Sequence, residues 1–328
     1  MKSRLVSSLQ TRGVYRLNDF TKFGNLSRRT LSSAEHTPDT AAVFDSVVTS
    51  RTFTKSFQKD KLVDPALIEK LLRLSQLAPS SFNLQPYKMI LVQQQSMKEA
   101  LADTMLGGNG QRVLEAPLTI VYLSDRGECC ISNMFLQIET EFNSHVSNVL
   151  IFLNLILTEP IRLAKDLIAL EASAGTDPGY LRDLSGKISL LLGNGGWVSG
   201  KLRTFATHLR SAIEPSPVVA SDPTPWSVKN TIFACQTFLL AANAHGLSTA
   251  PMEGFDERRL CYTLGIPMNR YTVPMVICVG YAAPLKEGSV VEEHSEKSKR
   301  RYKLEDICFT EKFNNPWTAP ASSSAAKK

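Results

Sequence analysis

Four neutral side chains that donate or accept hydrogen bonds lie close together in the first third of the chain. They are Ser80, Ser81, Asn83 and Gln85, in the loop Ser80–Pro86 between two apolar stretches. Hydroxyl and amide groups at this density suit a ligand that itself carries many hydroxyl or amide groups. The same side chains could instead cap the loop, so the spacing alone leaves both interpretations open.

A second candidate is the sequence Pro251-Met252-Glu253-Gly254-Phe255-Asp256. It follows a long apolar segment, and its glycine lets backbone N–H groups approach a planar ligand closely because no Cβ intervenes. We therefore expect a turn here whose backbone contacts the ligand.

Basic residues form two clusters that are far apart in the sequence. Arg51 and Lys55 follow a segment with helical spacing, whereas Lys297, Lys299, Arg300 and Arg301 lie near the other end. If the fold brings the clusters together, their guanidinium and ammonium groups suit a phosphate. Either cluster by itself is more typical of a solvated basic surface.

Motifs for covalent or metal-dependent catalysis are missing from the sequence. There is no HExxH, GxSxG or Walker motif, and Gly107–Gly110 is predicted as a plain loop. The five histidines are far apart, and the six cysteines have no metal-ligand or disulfide pattern, which predicts buried free thiols. The pattern favours chemistry supplied by a bound cofactor, without a metal.

The elements that must position these residues follow from caps and apolar periodicity. Asp64 followed by Pro65 predicts a helix start, and apolar residues at helical spacing continue it to Leu77. Strands are predicted at Tyr87–Val92, Leu118–Leu123 and Val273–Tyr281, and a basic helix near Lys201–Arg210. The stretch Val228–His245 is apolar nearly all round and ends at Gly246, which predicts a buried core helix.

Short strands among longer helices, without regular alternation, predict an α+β sandwich rather than a doubly wound sheet. Residues 126–222 form an enlarged helical insertion in this pattern and include the apolar run Val149–Leu157, which is too short to span a bilayer. The insertion could form a lid over the site, lie on a membrane surface or pack into the core.

The two ends of the chain differ from its body in composition. Residues 1–35 carry seven basic and two acidic residues and no continuous apolar segment, which predicts a mitochondrial transit peptide. A basic disordered tail is the alternative. Because most of the net charge of +6 lies there, the body is nearly neutral and no nucleic-acid partner is expected. Residues 319–328 are predicted to be a disordered tail, which leaves 36–318 as one domain.

The order and spacing of these segments resemble the FMN-dependent nitroreductase family. Residues Ala78–Tyr87 match the family signature APSS-x-N-x-QPW, with tyrosine at its last position. The resemblance also covers Arg51–Phe57, Asn109–Pro117, Gly246–Asp256, Leu264–Pro267 and Lys299–Ile307. The basic presequence and the enlarged middle segment are most similar to the mitochondrial type I, oxygen-insensitive nitroreductases of protozoa.

The resemblance implies a fold and an assembly. The fold would be a three-layer sandwich, with a mixed, mainly antiparallel sheet flanked by helices. The protein would be a homodimer with FMN sites at the subunit interface and exchanged C-terminal arms, here Ile307–Phe313.

The resemblance also implies site residues. Those that would hold FMN are Arg51, Thr52, Lys55, Ser80, Ser81, Asn83, Gln85, Asn109, Arg112, Glu253, Gly254, Lys299 and Arg301. Arg51, Lys299 and Arg301 would bind the phosphate, and Lys55, Asn109 and Arg112 would lie along the pyrimidine edge. The backbone N–H groups of Glu253 and Gly254, the predicted catalytic residues, would face flavin N5 and O4.

Two residues depart from the family pattern. Phe53 stands where many members have a small hydroxyl residue, which puts one phosphate contact in doubt. Phe82 replaces a small or polar residue on the substrate side, where an aromatic ring can stack with an aromatic acceptor.

The activity implied is a ping-pong reaction. NADH or NADPH would transfer a hydride to flavin N5, and a quinone or nitroaromatic acceptor would then take the electrons. Reductive dehalogenation or flavin destruction on the same fold are alternatives, as is a non-catalytic flavin-binding or membrane-associated protein. Peripheral membrane contact would involve the insertion.

Overall fold

The computed structural model describes residues 38–126, 196–213, 222–284 and 301–318, together with residues 177, 179 and 215. The predicted presequence 1–35, most of the predicted insertion 126–222, Lys299 and the predicted tail 319–328 lie outside the described residues. The chain divides into two compact units, residues 1–46 and 47–328. Helix α1 (Pro38–Ser50) supplies the described residues of the first unit, where the side chains of Val43 and Phe44 are exposed.

A four-stranded antiparallel sheet forms the centre of the second unit. Its strands are β1 (Tyr87–Val92), β2 (Leu118–Asp125), β3 (Ser248–Met252) and β4 (Tyr271–Gly280), in the order β1-β2-β4-β3. β2 is buried along its whole length because it has a neighbouring strand on each side and helices on both faces. Its Ile120 pairs with Leu91 of β1 and with Ile277 of β4. The predicted α+β class is confirmed.

Helices cover both faces of this sheet. The described helices after α1 are α2 (Pro65–Gln76), α3 (Gln95–Ala102), α4 (Asn109–Glu115), α5 (Gly196–Ser211), α6 (Thr224–Ala244), α7 (Glu257–Leu264) and α8 (Leu304–Ile307), of which α5 and α8 do not belong to the two layers on the sheet. On one face Phe238 of α6 meets Tyr122 edge-on, with ring centroids 6.5 Å apart. On the other face Leu260 of α7 belongs to the same apolar cluster as Val121. Adjacent residues of β2 thus face opposite layers, as the predicted three-layer sandwich requires.

Capping residues determine where α2 begins and where α6 ends. Both helices lie on the face of the sheet that contains Tyr122. The side chain of Asp64 accepts a hydrogen bond from the Ala66 N–H at 3.1 Å, which confirms the predicted N-cap of α2. After α6, Gly246 has a φ of +73°, and the Leu247 N–H donates to the Ala242 carbonyl at 2.9 Å. Glycine ends the helix here because it adopts this left-handed conformation without strain.

Two segments predicted as a turn and a loop have regular structure instead. Pro251 and Met252 lie in β3, at the edge of the sheet, where a proline is tolerated because the outer side of the strand is bridged only at Thr249 among the described residues. Asn109 and Gly110 begin α4, with Gly108 as its N-cap residue. Both segments border the candidate site, so their regular structure limits how far its residues can shift.

The predicted basic helix near Lys201–Arg210 is confirmed as α5. Its Leu202 and Phe205 side chains are exposed. Among the helices described, none has the length and apolar character needed to cross a membrane. Peripheral membrane contact through the insertion therefore stays a prediction.

Three of the described cysteines are buried free thiols, as predicted: Cys235, Cys261 and Cys278. Cys308 is exposed, so the prediction is wrong there. The apolar residues around Cys308 do not bury it because the whole of the segment 301–318 is exposed.

A buried ion pair anchors the last residue of β2. The carboxylate of Asp125 is fully buried and accepts hydrogen bonds from the guanidinium of Arg270, the shortest at 2.7 Å. The N–H of Arg126 also donates to the Arg270 carbonyl at 3.0 Å. A buried charge pair persists when both partners are well hydrogen-bonded. The chain therefore leaves the sheet towards the insertion from a fixed point.

Candidate functional site

The carbonyl oxygen of Gly254 is the point where two parts of the chain meet. It accepts hydrogen bonds from the Leu106 N–H and from Asn109 Nδ2, each at 2.9 Å. One residue further on, Met105 and Phe255 form an antiparallel bridge, and the Asp256 N–H donates to the carbonyl of the residue before Met105 at 2.8 Å. A short two-stranded ladder therefore holds the segment after β3 against the approach to α4.

Asn109 connects this ladder to a cation. While its Nδ2 group donates to Gly254, its Oδ1 atom accepts a hydrogen bond from Arg112 Nη1 at 2.7 Å. A Cβ atom on Gly254 would lie only 2.8 Å from Asn109 Nδ2, so glycine is required for this contact. The structure thus brings the predicted residues Asn109, Arg112 and Gly254 into one hydrogen-bonded group.

The segment Arg51–Phe57 lies against the same group. The Thr54 N–H donates to the Thr249 carbonyl at 3.0 Å, and Phe53 bridges Thr249 in parallel fashion, so the segment runs beside β3. The ring of Phe53 lies below the guanidinium of Arg112, with 5.1 Å from its carbon to the ring centroid. This contact connects the segment to α4.

Glu115, one helical turn after Arg112, provides a second connection. Its carboxylate accepts hydrogen bonds from Ser56 Oγ at 2.8 Å and from the Phe57 N–H at 3.2 Å. Partial burial raises the pKa of Glu115, but hydrogen bonds from Gln111, Ser56 and Phe57 and the charge of Lys59 outweigh it, so the pKa is lowered. Glu115 was not among the predicted residues, and it acts on the segment rather than on a ligand.

The loop Ser80–Gln85 has an unusual backbone. Phe82 and Asn83 have φ values of 55° and Gln85 has a φ of 45°, in the left-handed region that non-glycine residues rarely adopt. Ser80 Oγ accepts the Gln85 N–H at 3.0 Å, and Gln85 Nε2 donates to Asn83 Oδ1 at 3.1 Å. The capping interpretation is therefore correct for Ser80.

A buried residue of α6 holds this loop and was missed by the sequence analysis. Asn230 is 2% exposed, and its Oδ1 atom accepts the Ser81 N–H at 2.7 Å while its amide donates to the Trp226 carbonyl at 2.7 Å. The prediction that this helix is apolar nearly all round is wrong for the first turns of α6, which bury the polar residues Ser227, Asn230 and Thr231. Their spacing of three and four residues was the available signal for a polar buried face.

The remaining predicted residues are less tightly placed. Arg51 and Thr52 are half-buried and Lys55 is exposed, all at the start of the segment that lies beside β3. Arg301 is exposed, and Lys299 lies outside the described residues, so the convergence of these two cations on Arg51 stays a prediction. Within the described residues, no hydrogen bond connects the loop Ser80–Gln85 with the group around Gly254.

A model of the nitroreductase family matches residues 48–125 and 210–281 of this chain. The two matched segments contain the group around Gly254, the loop Ser80–Gln85 and all four strands. The gap between them, 126–209, corresponds to the predicted insertion at 126–222, which supports an insertion at this place in the fold.

Individual relatives agree with the family match. The oxygen-insensitive NAD(P)H nitroreductase of Salmonella typhimurium is 24% identical over 239 residues, which cover 72% of this chain and 87% of that protein. A nitroreductase family protein from Streptococcus pneumoniae has a TM-score of 0.52 at 20% identity, covering 81% of this chain and 99% of that one. A protein from Exiguobacterium sibiricum, solved in complex with FMN, has a TM-score of 0.51 at 16% identity, covering 81% and 95%.

The fold is an α+β sandwich, and the hydrogen-bonded group around Gly254 forms a candidate site next to its edge strand. Over the two matched segments the chain is similar to the nitroreductase family, and the relatives above are similar to it over a longer stretch.

Proposed function

We propose that the protein is an FMN-dependent NAD(P)H oxidoreductase that reduces quinone or nitroaromatic acceptors. The observation that carries the proposal is the hydrogen-bonded group of Arg112, Asn109 and Gly254 beside the segment Arg51–Phe57. These parts are far apart in the sequence, and each is one that the family resemblance assigns to FMN. Their meeting at one place supports a shared ligand.

The residues at this place fit FMN in three respects. Arg112 Nε is buried and has no hydrogen-bond partner within the described residues, so the guanidinium retains a donor for an anionic or carbonyl group. In the described residues, the backbone N–H groups of Glu253 and Gly254 donate no turn or loop hydrogen bond to another backbone group. The absence of a Cβ at Gly254 also lets Asn109 Nδ2 lie against it, which brings the Arg112 guanidinium that Asn109 binds close to this turn.

Each group has a distinct task in this proposal. Arg51, with Lys299 and Arg301, would bind the FMN phosphate, since guanidinium and ammonium groups match its charge. Lys55, Asn109 and Arg112 would contact the pyrimidine edge and place positive charge there. Bound FMN would supply two-electron chemistry, taking a hydride from a nicotinamide and giving it up to an acceptor.

The backbone at Glu253 and Gly254 would act as a fixed pair of hydrogen-bond donors. Both lone pairs of the Gly254 carbonyl are already engaged, by Leu106 and Asn109, so this part of the turn cannot rotate freely. Donors that are fixed before the reaction need no rearrangement during it, which is how a protein stabilises developing negative charge.

Phe82 would provide the acceptor side of the site. Its side chain is 37% exposed, although it is a large apolar group in a loop with a constrained backbone. Ser81, Asn83 and Gln85, in the same loop, would contact the ribityl chain and ring. An exposed aromatic ring held by its backbone is suited to stacking on a flat quinone or nitroaromatic compound.

We further propose a homodimer and import into mitochondria. The segment 301–318 is exposed throughout, with Tyr302 at 82% and Phe313 at 80%, as expected for an arm that packs on a second copy of the chain. The basic residues 1–35 support import, and with the insertion they support a protein of the protozoan type I kind. Sedimentation of the protein with and without residues 301–328 would test the dimer.

The central test is a spectrum followed by an assay. The purified protein is expected to carry a yellow chromophore that is released by denaturation and identified as FMN. NADH and NADPH oxidation would then be measured with a quinone and with a nitrofuran. Flavin-loaded protein that shows no acceptor-stimulated turnover would contradict an enzyme, and protein that neither retains nor takes up FMN would contradict the whole proposal.

Two arginine variants provide a matched comparison. Arg301→Ala is expected to weaken FMN retention because it removes the proposed phosphate contact, whereas Arg259→Ala removes an exposed arginine of α7. Equal retention of FMN by both variants would contradict the role given to Arg301.

A further inference from the structure

Phe53, which departs from the family pattern, contacts Arg112. Phe53 is 37% exposed, so its ring is not simply part of the core. Its backbone is fixed beside Thr249 of β3, and its ring lies 5.1 Å from the guanidinium carbon of Arg112. That distance is within the range of a cation–π interaction.

Arg112 is restrained in two directions at once. Asn109 Oδ1 accepts one of its N–H groups at 2.7 Å and fixes one edge of the guanidinium plane. The guanidinium carbon also lies over the ring of Phe53. A guanidinium with one N–H hydrogen-bonded and an aromatic ring beneath it is restrained, and its buried Nε–H remains available to donate.

The other end of the segment is also fixed to α4. Glu115 binds Ser56 and the Phe57 N–H, while Arg112, one helical turn earlier, contacts Phe53. The position of Phe53 therefore does not depend on its own ring contact alone. This second connection allows the ring to be changed without releasing the segment.

We propose that Phe53 is a positioning residue that orders the guanidinium of Arg112 for the flavin. The inference rests on the proposed function. A small hydroxyl residue at this position would donate a hydrogen bond to the phosphate, which a phenyl ring cannot do. This chain thus has an ordered cation at the ring edge in place of one phosphate contact.

Two measurable quantities follow from an ordered Arg112. Fixing the guanidinium before binding lowers the entropy lost on binding, so FMN affinity increases. A positive charge held next to the ring also favours the anionic reduced form, so the reduction potential of bound flavin becomes less negative. Loss of the Phe53 ring should change both quantities in the direction that loss of Arg112 does.

The test is a double-mutant cycle with a rescue variant. F53L is expected to weaken FMN binding roughly two- to fivefold, the size of a partly exposed cation–π contact, and to make the potential more negative. R112A is expected to weaken binding about tenfold or more. F53W, which keeps an aromatic face, should stay close to wild type. In the R112A background, F53L should have little further effect because the cation is already absent.

Matched controls separate this effect from general damage. Y262L removes an aromatic side chain that is 89% exposed on α7 and should leave affinity and potential unchanged. Urea unfolding of each apoprotein checks that the variants fold. F53L binding equal to wild type, or equal losses from F53L with and without Arg112, would overturn the proposal while leaving the flavin function intact. Failure of the wild type to bind FMN would instead overturn the function itself, and the positioning role with it.

Discussion

The α4 side of the site and the loop Ser80–Gln85 are held in place by different means. Around Gly254, side chains and backbone from three parts of the chain bind one another directly. The loop has three residues with positive φ, and its main external support is one buried amide, Asn230. The group around Gly254 is held by several hydrogen bonds, whereas the loop is held by the Asn230 hydrogen bond and the buried side chain of Leu84 and has a strained backbone.

This difference suits the two tasks proposed for them. The contacts around Gly254 would keep cofactor groups in fixed positions, for which small displacements are costly. The loop carries the exposed Phe82, and its sequence can differ between proteins with less effect on the rest of the fold. Residues that select an acceptor need this tolerance. Four experiments test this difference.

Gly254→Ala should have the largest effect. The new Cβ would lie 2.8 Å from Asn109 Nδ2, so Asn109 has to move and Arg112 loses its partner. FMN affinity, measured by quenching of flavin fluorescence, is expected to fall about tenfold or more. If the contact with Asn109 is the cause, the alanine should do little additional harm in an Asn109→Ala background.

Asn230→Leu should come next. The substitution removes the acceptor for the Ser81 N–H, and an unsatisfied donor of this kind costs about 1–2 kcal/mol. Urea unfolding would measure the loss, and limited proteolysis should show faster cleavage within the loop. Asn230→Asp, which keeps an acceptor oxygen, is the control and should cleave at a rate closer to that of the wild type.

A pair of substitutions at Phe82 would measure the backbone strain. Phe82→Ala and Phe82→Gly both remove the ring, but only glycine adopts the φ of 55° freely. We expect the glycine variant to be more stable by about 1 kcal/mol in urea unfolding. Equal stability of the two variants would show that the loop is not strained at this residue.

The smallest effect concerns pH at Glu115. Because the folded state lowers its pKa, the carboxylate contributes stability above the ordinary pKa of glutamate, about 4.3, and this contribution disappears as pH falls through the lower folded pKa. The contribution is below about 1 kcal/mol, since Glu115 is partly exposed. Unfolding between about pH 6 and pH 3 should show a steeper loss for wild type than for Glu115→Gln.

Much of the fold could be predicted from local signals. The strand Tyr87–Val92 has the bounds that its apolar run predicts, and Asp64 caps α2 as its sequence implies. β3 could not be predicted in this way, because Ser248–Met252 contains a proline and gains its strand structure from pairing with β4. Pairing over a long sequence separation leaves no local pattern.

The site follows the same rule. Asn109, Arg112 and Gly254 were predicted because the order of motifs along the chain resembles a family. Asn230 and Glu115 were missed because each contacts a backbone N–H more than fifty residues away, and no motif marks such a contact. The role of Phe53 also depended on the position of Arg112, which sequence spacing does not define.

The ion pair between Asp125 and Arg270 has a consequence for how this protein can be altered. Asp125 is also the last residue of the first segment that matches the family, so the shared part of the fold ends at an anchored residue. We expect the sequence after Asp125 to tolerate replacement and changes of length. The ion pair fixes the end of β2 against β4, so the register of the sheet does not depend on the residues that follow. A chimera with a short linker in place of residues 127–209 should therefore remain folded, whereas the same chimera with Asp125→Ala should not.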